Sequence, residues 1–192
     1  MLNSPISYSI YNLFTPEECD EIIKLGKQGR YDPGNIGDHS EYDVDKTIRD
    51  TELYFFNDQK IWSKIQPVID AANHDNGWNF ELAHSENFQL TVYNKDGHYN
   101  WHVDNHPTPY QDNGPLTGMV RKISFSVILN DEFEGGEFEF ASPNPAEPTQ
   151  IAEGLTKGSI LIFPSYTAHK VNAVTKGQRY SLVCWICGYP WR

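Results

Sequence analysis

At 192 residues the chain has the length of one domain with a sizeable core, and its formal charge of −11, with no Lys/Arg cluster, argues against a phosphate-backbone partner. No stretch is apolar enough for a membrane span, and the start MLNSPISYSIYNLF has neither a basic leader nor a long apolar run. Cys19, Cys184 and Cys187 are too few for a disulfide framework, so a cytoplasmic protein without nucleic-acid or membrane partners is expected.

Residues 6–14 alternate loosely and read as extended. Thr15-Pro16-Glu17-Glu18 then starts a helix: Thr15 as N-cap, Pro16 where a missing N–H costs nothing, and Glu18 closing a capping box. Ile22, Ile23 and Leu25 give that helix a buried stripe, and Gly29 is the expected stop. Residues 30–47 are polar, rich in Gly and Asp and without period, and are expected to form a long loop or lid. Thr51 to Phe56 is extended again. From Asp58 to about Ala72, Ile61, Trp62, Ile65, Val68 and Ile69 recur at helical spacing, with Pro67 expected to kink or split the helix. After the Asn76-Gly77 turn signal, Trp78 and Phe80 are expected to begin a strand.

Beyond Phe88 strand-like runs follow one another at 88–94, 98–104, 120–129, 137–141, 159–163, 168–175 and 179–187. Turns such as Lys95-Asp96-Gly97 and Glu134-Gly135-Gly136 separate them, with no helices between. Such a series predicts a sandwich or closed double sheet. The expected architecture is mainly β with N-terminal helices: a single domain over 1–192, with a helical support region in 1–85 and a jelly-roll catalytic core in 86–188. Cys184 and Cys187 have CxxC spacing, but on a strand positions i and i+3 face opposite ways, which speaks against a redox or zinc pair.

The chemistry concentrates in two places. In His102-Val103-Asp104 the i and i+2 side chains of an extended strand leave one face, offering a nitrogen and an oxygen ligand while Val103 packs into the opposite layer. His169 lies in an apolar strand context far along the chain and suits a third ligand. Together they form a 2-His-1-carboxylate face with open coordination positions, as non-haem iron requires. Ten residues past His169 stands Arg179, with Ser181 two further on. A guanidinium in an apolar strand is costly unless it meets an anion, either a side-chain carboxylate or a ligand.

This pattern of HxD, a distal His and Arg-x-Ser resembles the iron(II)- and 2-oxoglutarate-dependent dioxygenases, particularly the prolyl 4-hydroxylase-like group, over roughly residues 86–188. The resemblance implies a double-stranded β-helix (jelly roll, cupin-like) buttressed by α-helices. It implies Fe(II) on His102, Asp104 and His169, and O2 and 2-oxoglutarate as cosubstrates. The remote carboxylate of 2-oxoglutarate would rest on Arg179, Tyr93 and Ser181, with ascorbate as a reductant. The stretch RKISFSVILNDEFEGGEFEF, residues 121–140, is similar to the family's run from Arg to a Gly-Gly turn. There Arg121 matches a substrate-contacting position, as does Trp185 later; Tyr110 is a further substrate-side candidate on the 105–118 loop. Two departures stand out: Arg179 where collagen-type members carry Lys, and Phe138-Glu139-Phe140 where the turn usually continues Thr-x-Phe-Pro. The implied activity is hydroxylation of an unactivated C–H, most directly prolyl 4-hydroxylation of a proline-containing peptide or protein, with 2-oxoglutarate converted to succinate and CO2. A free amino acid or other small metabolite is the alternative substrate. A cupin-like metal- or sugar-binding module is the alternative class, and it has no use for the Arg179 anchor.

Overall fold

The computed structural model describes residues 6–33, 45–144 and 146–190. The chain runs β1 (Ser9–Asn12), α1 (Pro16–Gly26), β2 (Arg30–Asp32), β3 (Arg49–Asp50), β4 (Glu52–Phe56), α2 (Gln59–Asp75), β5 (His84–Ser85), β6 (Phe88–Tyr93), β7 (His98–His102) and β8 (Val120–Ile128). It continues through β9 (Phe133–Gly135), β10 (Phe138–Phe140), β11 (Gln150–Ile151), β12 (Ser159–Pro164), β13 (His169–Val171), β14 (Val174–Gly177) and β15 (Arg179–Gly188).

One large sheet has the order β1-β12-β8-β15-β6-β4-β2, with β5 on the flank of β15. A smaller sheet has the order β11-β10-β13-β7-β3, and β14 pairs with β9. Every pairing is antiparallel, which is the jelly-roll arrangement expected from the series of short strands. The region before residue 86 supplies more than helices: β1, β2 and β4 extend the large sheet and β3 the small one.

The period of 2 along each strand divides the large sheet into two faces. Ile160 and Ile162 of β12, Leu90 and Val92 of β6, and Leu182 and Cys184 of β15 face the helices and join Ile22, Ile61, Ile65 and Ile69 in one core. Leu161 and Phe163 leave β12 on the other side and meet Phe138, Phe140 and Val171 of the small sheet and Val174 of β14. Residues 179, 181, 183 and 185 of β15 share that inner side, and it is where the polar residues gather. Burying each helix isoleucine contributes about 1.5–3 kcal/mol; Ile65 has no exposure at all, so Ile65→Ala alone is expected to cost about 2–5 kcal/mol.

Helix α1 starts as its sequence dictates. Thr15 Oγ1 accepts from Glu18 N at 3.3 Å and Glu18 Oε2 accepts from Thr15 N at 2.9 Å. It ends at Gly26, not Gly29, with Lys27 as cap. Gly29 serves the next strand instead: a Cβ there would sit 2.5 Å from the Phe55 carbonyl oxygen. Helix α2 continues through Pro67 as one element, so it is not split there. Pro67 lies on the exposed face, while Ile65 and Ile69 pin the helix to the core on both sides of it. Trp78 and Phe80 do not form a strand. Asn73 holds both backbone groups of Phe80, accepting from its N–H at 2.9 Å and donating to its carbonyl at 3.0 Å, and the two rings stack at 6.2 Å. Of the expected lid at 30–47, residues 34–44 lie outside the described residues; the flanks form β2 and the turn entering β3.

Candidate active site

β13 lies beside β7 with His169 directly opposite His102, and the two imidazole centroids are 4.2 Å apart. Asp104 completes the group, its oxygens 3.6 Å from each Nε2. Among the described residues this is the one cluster of potential metal ligands, its ligand atoms all within 4.8 Å of one another. A gap of 3.6 Å is too long for a hydrogen bond and shorter than two metal–ligand bonds of about 2 Å end to end, so a cation fits between.

His102 and Asp104 converge by a different route from the one their spacing suggested. β7 ends at His102, and Val103 is 49% exposed instead of packing into the opposite layer. Asp104 sits in a bend, where its N–H and that of Asn105 both donate to the Ser165 carbonyl at 2.9 Å. Ser165 is in turn fixed to β8, its N–H donating to the Lys122 carbonyl and its Oγ lying 2.9 Å from Ser124 Oγ. A loop-to-loop clamp thus aims the carboxylate.

The imidazoles are oriented by their own backbones. His102 Nδ1 is 2.7 Å from the Asn100 carbonyl and His169 Nδ1 is 2.9 Å from the Thr167 carbonyl. A carbonyl only accepts, so Nδ1 carries the proton in both rings and each Nε2 keeps a lone pair for a metal. Burial pushes the His169 imidazole down to about 4 against the pull of Asp104, so it is neutral at pH 7. Burial also opposes ionisation of Asp104, but the surrounding imidazoles and Arg121 outweigh it and hold the carboxyl well below its usual range. Two imidazole nitrogens and one carboxylate on a single face are the donor set for Fe(II) with positions left open.

These residues line a cavity of about 400 Å³ counted out to its mouth, together with Tyr93, Tyr99, Arg49, Gln89, Phe138 and Trp185. Arg179 stands further in, 1% exposed, directly across from Tyr93 on β6, with its guanidinium carbon 5.1 Å from the Tyr93 ring centroid. Nη1 donates to Ser181 Oγ at 3.2 Å, but Nε and Nη2 have no hydrogen-bond partner. Of the two explanations for this cation, a side-chain carboxylate is therefore absent among the described residues. A buried guanidinium with open donors fits a ligand carboxylate.

Residues 88–187 match the 2OG-Fe(II) oxygenase superfamily. The chain belongs to that family. It is 34% identical over 197 residues to a PKHD-type hydroxylase of Prochlorococcus marinus, a match covering 96% of this chain and 79% of the relative. A PKHD-type hydroxylase of Synechococcus is 32% identical over 137 residues, 69% of this chain and 57% of the relative; the match to one from Psychrobacter covers 32% of that relative, so this chain spans only part of these proteins. The fold is shared with the viral collagen prolyl hydroxylase of Paramecium Bursaria Chlorella virus-1, with a TM-score of 0.68, 18% identity, and 98% of this chain and 99% of that chain covered. It is also shared with a Pseudomonas putida prolyl-4-hydroxylase, with a TM-score of 0.66, 15% identity, and coverage of 95% and 92%. Triad, orphaned cation and family together make this an Fe(II)- and 2-oxoglutarate-dependent oxygenase site.

The substrate-side candidates separate. Trp185 lines the oxygenase cavity, and its Nε1 is buried without a partner. Arg121 lies over the Trp185 ring, its guanidinium carbon 3.8 Å from the centroid, but its donors go to Glu86 at 2.5 and 2.8 Å and to the Asp104 carbonyl at 3.3 Å. Tyr110 also donates to Glu86, at 2.7 Å. Both stand behind the wall and brace it. Glu86 is the hub of this group and was not singled out in the sequence, where it is one acidic residue among many in a connecting stretch. Cys184 joins the helix-side core and lies 3.3 Å from the Glu86 carbonyl, while Cys187, outside that core, lies 3.9 Å from the Glu86 carboxylate; both thiols are free.

Two further cavity residues were missed. The Tyr99 ring stacks on His102 with centroids 3.5 Å apart. Arg49, 7% exposed, sits over Tyr99 and donates through Nε to Thr51 Oγ1 at 3.0 Å. In the sequence it is one cation just ahead of the extended Thr51–Phe56 stretch, and only its burial against Tyr99 gives it meaning.

Proposed function

We propose that the protein hydroxylates an unactivated C–H bond of a prolyl residue in an extended peptide or protein loop, most directly at the ring 4-position. The observation that carries the peptide reading is the indole N–H of Trp185, a wall residue of the triad cavity: it is buried and unpaired, a donor open to a backbone carbonyl of a docked chain. Its ring, backed by Arg121, offers the aromatic surface that suits a polyproline II segment. The names of the relatives, PKHD-type hydroxylases by sequence and prolyl hydroxylases by fold, support the same reading.

Fe(II) held by His102, Asp104 and His169 would supply oxygen activation, one atom of O2 going to succinate and the other to the substrate as CO2 is lost. The protein's own part is placement. His102, Asp104 and His169 occupy one face and leave the other to ligands; Arg179 and Ser181, with Tyr93, hold the distal carboxylate; the aromatic wall excludes water. No helix among the described residues is long and apolar enough to cross a membrane.

A free amino acid is the second reading, favoured by Arg49, a second guanidinium on the cavity wall able to receive a substrate carboxylate. One experiment separates the two. Enzyme, Fe(II), ascorbate and 2-oxoglutarate are incubated with proline-rich peptides and, separately, with free amino acids, and the gain of one oxygen is followed by mass spectrometry alongside succinate release. Coupled oxidation of a peptide is the expected result; oxidation of free amino acids with every peptide untouched rejects the peptidyl reading.

A further inference from the structure

Behind the triad cavity lies a second one, about 520 Å³ counted out to solvent, bordered by Ile128, Phe133, Gly135, Gly136, Leu155 and Arg179. Among the described residues a single side chain belongs to the walls of both cavities, that of Phe138. It is 5% exposed, and its ring lies parallel to the His169 imidazole, with centroids 5.1 Å apart at an angle of 9°. Phe140 meets it edge-on at 5.2 Å and Phe163 lies tilted against it at 5.4 Å, so three aromatic rings fill the space beside this metal ligand. On the far side the chain of Arg179 passes close to Gly136, where a Cβ would come 2.9 Å from Arg179 Cδ. The Gly135-Gly136 turn thus holds Phe138 between the triad and the anchoring cation.

We propose that Phe138 is the specificity-determining residue of the cosubstrate site: its ring partitions the triad cavity from the Arg179 cavity and sets the length of 2-oxo diacid that the site accepts. The inference rests on the reading that 2-oxoglutarate chelates at the triad and reaches Arg179. A molecule tied at both ends must pass the Phe138 ring, and each added methylene has to fit in the space the ring leaves. The charge of Arg179 does not discriminate between diacids, because each presents the same terminal carboxylate. The aromatic wall does. With the ring cut back, the two cavities join, and the glycine-lined chamber around Arg179 takes the extra length.

The test measures binding, not turnover. Protein loaded with Mn(II), without O2, is titrated calorimetrically with 2-oxoglutarate and with 2-oxoadipate, one methylene longer, for the wild type, Phe138→Leu and Phe138→Ala. Misfitting one methylene in an apolar pocket is worth about 10- to 200-fold. The wild type is expected to bind 2-oxoadipate at least ~10-fold more weakly than 2-oxoglutarate, and Phe138→Ala to narrow that ratio to about threefold or less, with Phe138→Leu between. The leucine variant keeps the core filled and carries the comparison if the alanine variant does not fold. A preference equal in wild type and Phe138→Leu overturns the proposal, as does a wild type that binds both acids alike. Loss of the cosubstrate reading looks different: Mn(II) binds to the wild type, but neither acid does.

Discussion

Replacing Arg179 with methionine is the sharpest probe of the oxygenase site, because stability and binding should move in opposite directions. Among the described residues Arg179 is the largest fully buried side chain; its Nη1 bonds Ser181, while Nε and Nη2 bond nothing. Burial lowers its pKa, and only the nearby Tyr93 works the other way. Without ligand, the fold therefore carries a desolvated charge with incomplete compensation. Exchanging a buried charge for an apolar residue of similar volume is neutral or stabilising by about 1–4 kcal/mol in comparable cases. With ligand the sign reverses. Losing one partner of a buried, hydrogen-bonded charge pair costs about 2–5 kcal/mol, which at about 1.4 kcal/mol per decade is a loss of roughly 30-fold to several thousand-fold in 2-oxoglutarate affinity. The assay is urea unfolding of the metal-loaded protein with and without 2-oxoglutarate. At a hundred times its dissociation constant the ligand should stabilise the wild type by about 2.7 kcal/mol, and at that same concentration stabilise Arg179→Met by about 0.9 kcal/mol or less. Fe(II) binding should be unchanged. A variant that is several kcal/mol less stable without ligand, yet still stabilised by 2-oxoglutarate as the wild type is, refutes the reasoning and makes Arg179 a structural cation.

The other expectations follow from the same geometry. His102→Ala, Asp104→Ala and His169→Ala should each abolish stoichiometric Fe(II) binding by metal analysis while leaving the far-ultraviolet circular dichroism intact; retention of metal by any of them removes that residue from the ligand set. Tyr93→Phe should raise the KM for 2-oxoglutarate about fivefold, the equivalent of one neutral hydrogen bond of about 1 kcal/mol, and an unchanged KM means the phenol does not touch the cosubstrate. Glu86→Ala strips Arg121 of its paired carboxylate in a largely buried setting, so a loss of about 3–5 kcal/mol in urea unfolding is expected; a loss below about 1 kcal/mol would show the pair to behave like an exposed one. His169 has a folded value of about 4 against 6.5 for the free side chain, so the unfolded chain takes the proton first. The metal-free protein should therefore lose stability as the pH falls from about 6.5 towards 4 and gain nothing from His169 above that window. The depressed Asp104 carboxyl acts in the same direction below its own unfolded value. Melting of chelator-treated protein across this range is the check, with a flatter profile expected for His169→Gln.

Much of the fold is legible because its signals are local. The Thr15 capping box needs only four residues, and the structure forms both of its hydrogen bonds. The alternation in SILIFP, Ser159 to Pro164, needs only a sheet with two apolar sides. What escaped the sequence was decided by distant partners. Gly29 looks like a helix stop, but its smallness answers to the Phe55 backbone. Pro67 looks like a break, but tertiary packing of Ile65 and Ile69 outweighs one missing hydrogen bond. Trp78 and Phe80 have strand character, but Asn73 takes both backbone groups of Phe80 before any strand can.

The site follows the same division. The three metal ligands and Arg179 were readable as residue types at a given spacing, because coordination and ion pairing demand particular atoms. The route by which Asp104 arrives was not, since its aim depends on the carbonyl of Ser165, sixty-one residues later and with no chemical signature of its own. Glu86 and Arg49 were unreadable for a related reason: a charged residue in an acidic chain acquires meaning only when burial removes water from around it, and burial is a property of the whole sheet. Arg179 is the instructive case, being legible both ways. The apolar strand around it already says that it is buried. The parity of β15 then puts it on the same inner side as Ser181 and Trp185, across from Tyr93. A cation so placed either meets a carboxylate of its own chain or waits for one from outside. The two unpaired nitrogens support the second, and on the proposed reading they turn a three-residue metal face into a site with two fixed ends and a defined length between them.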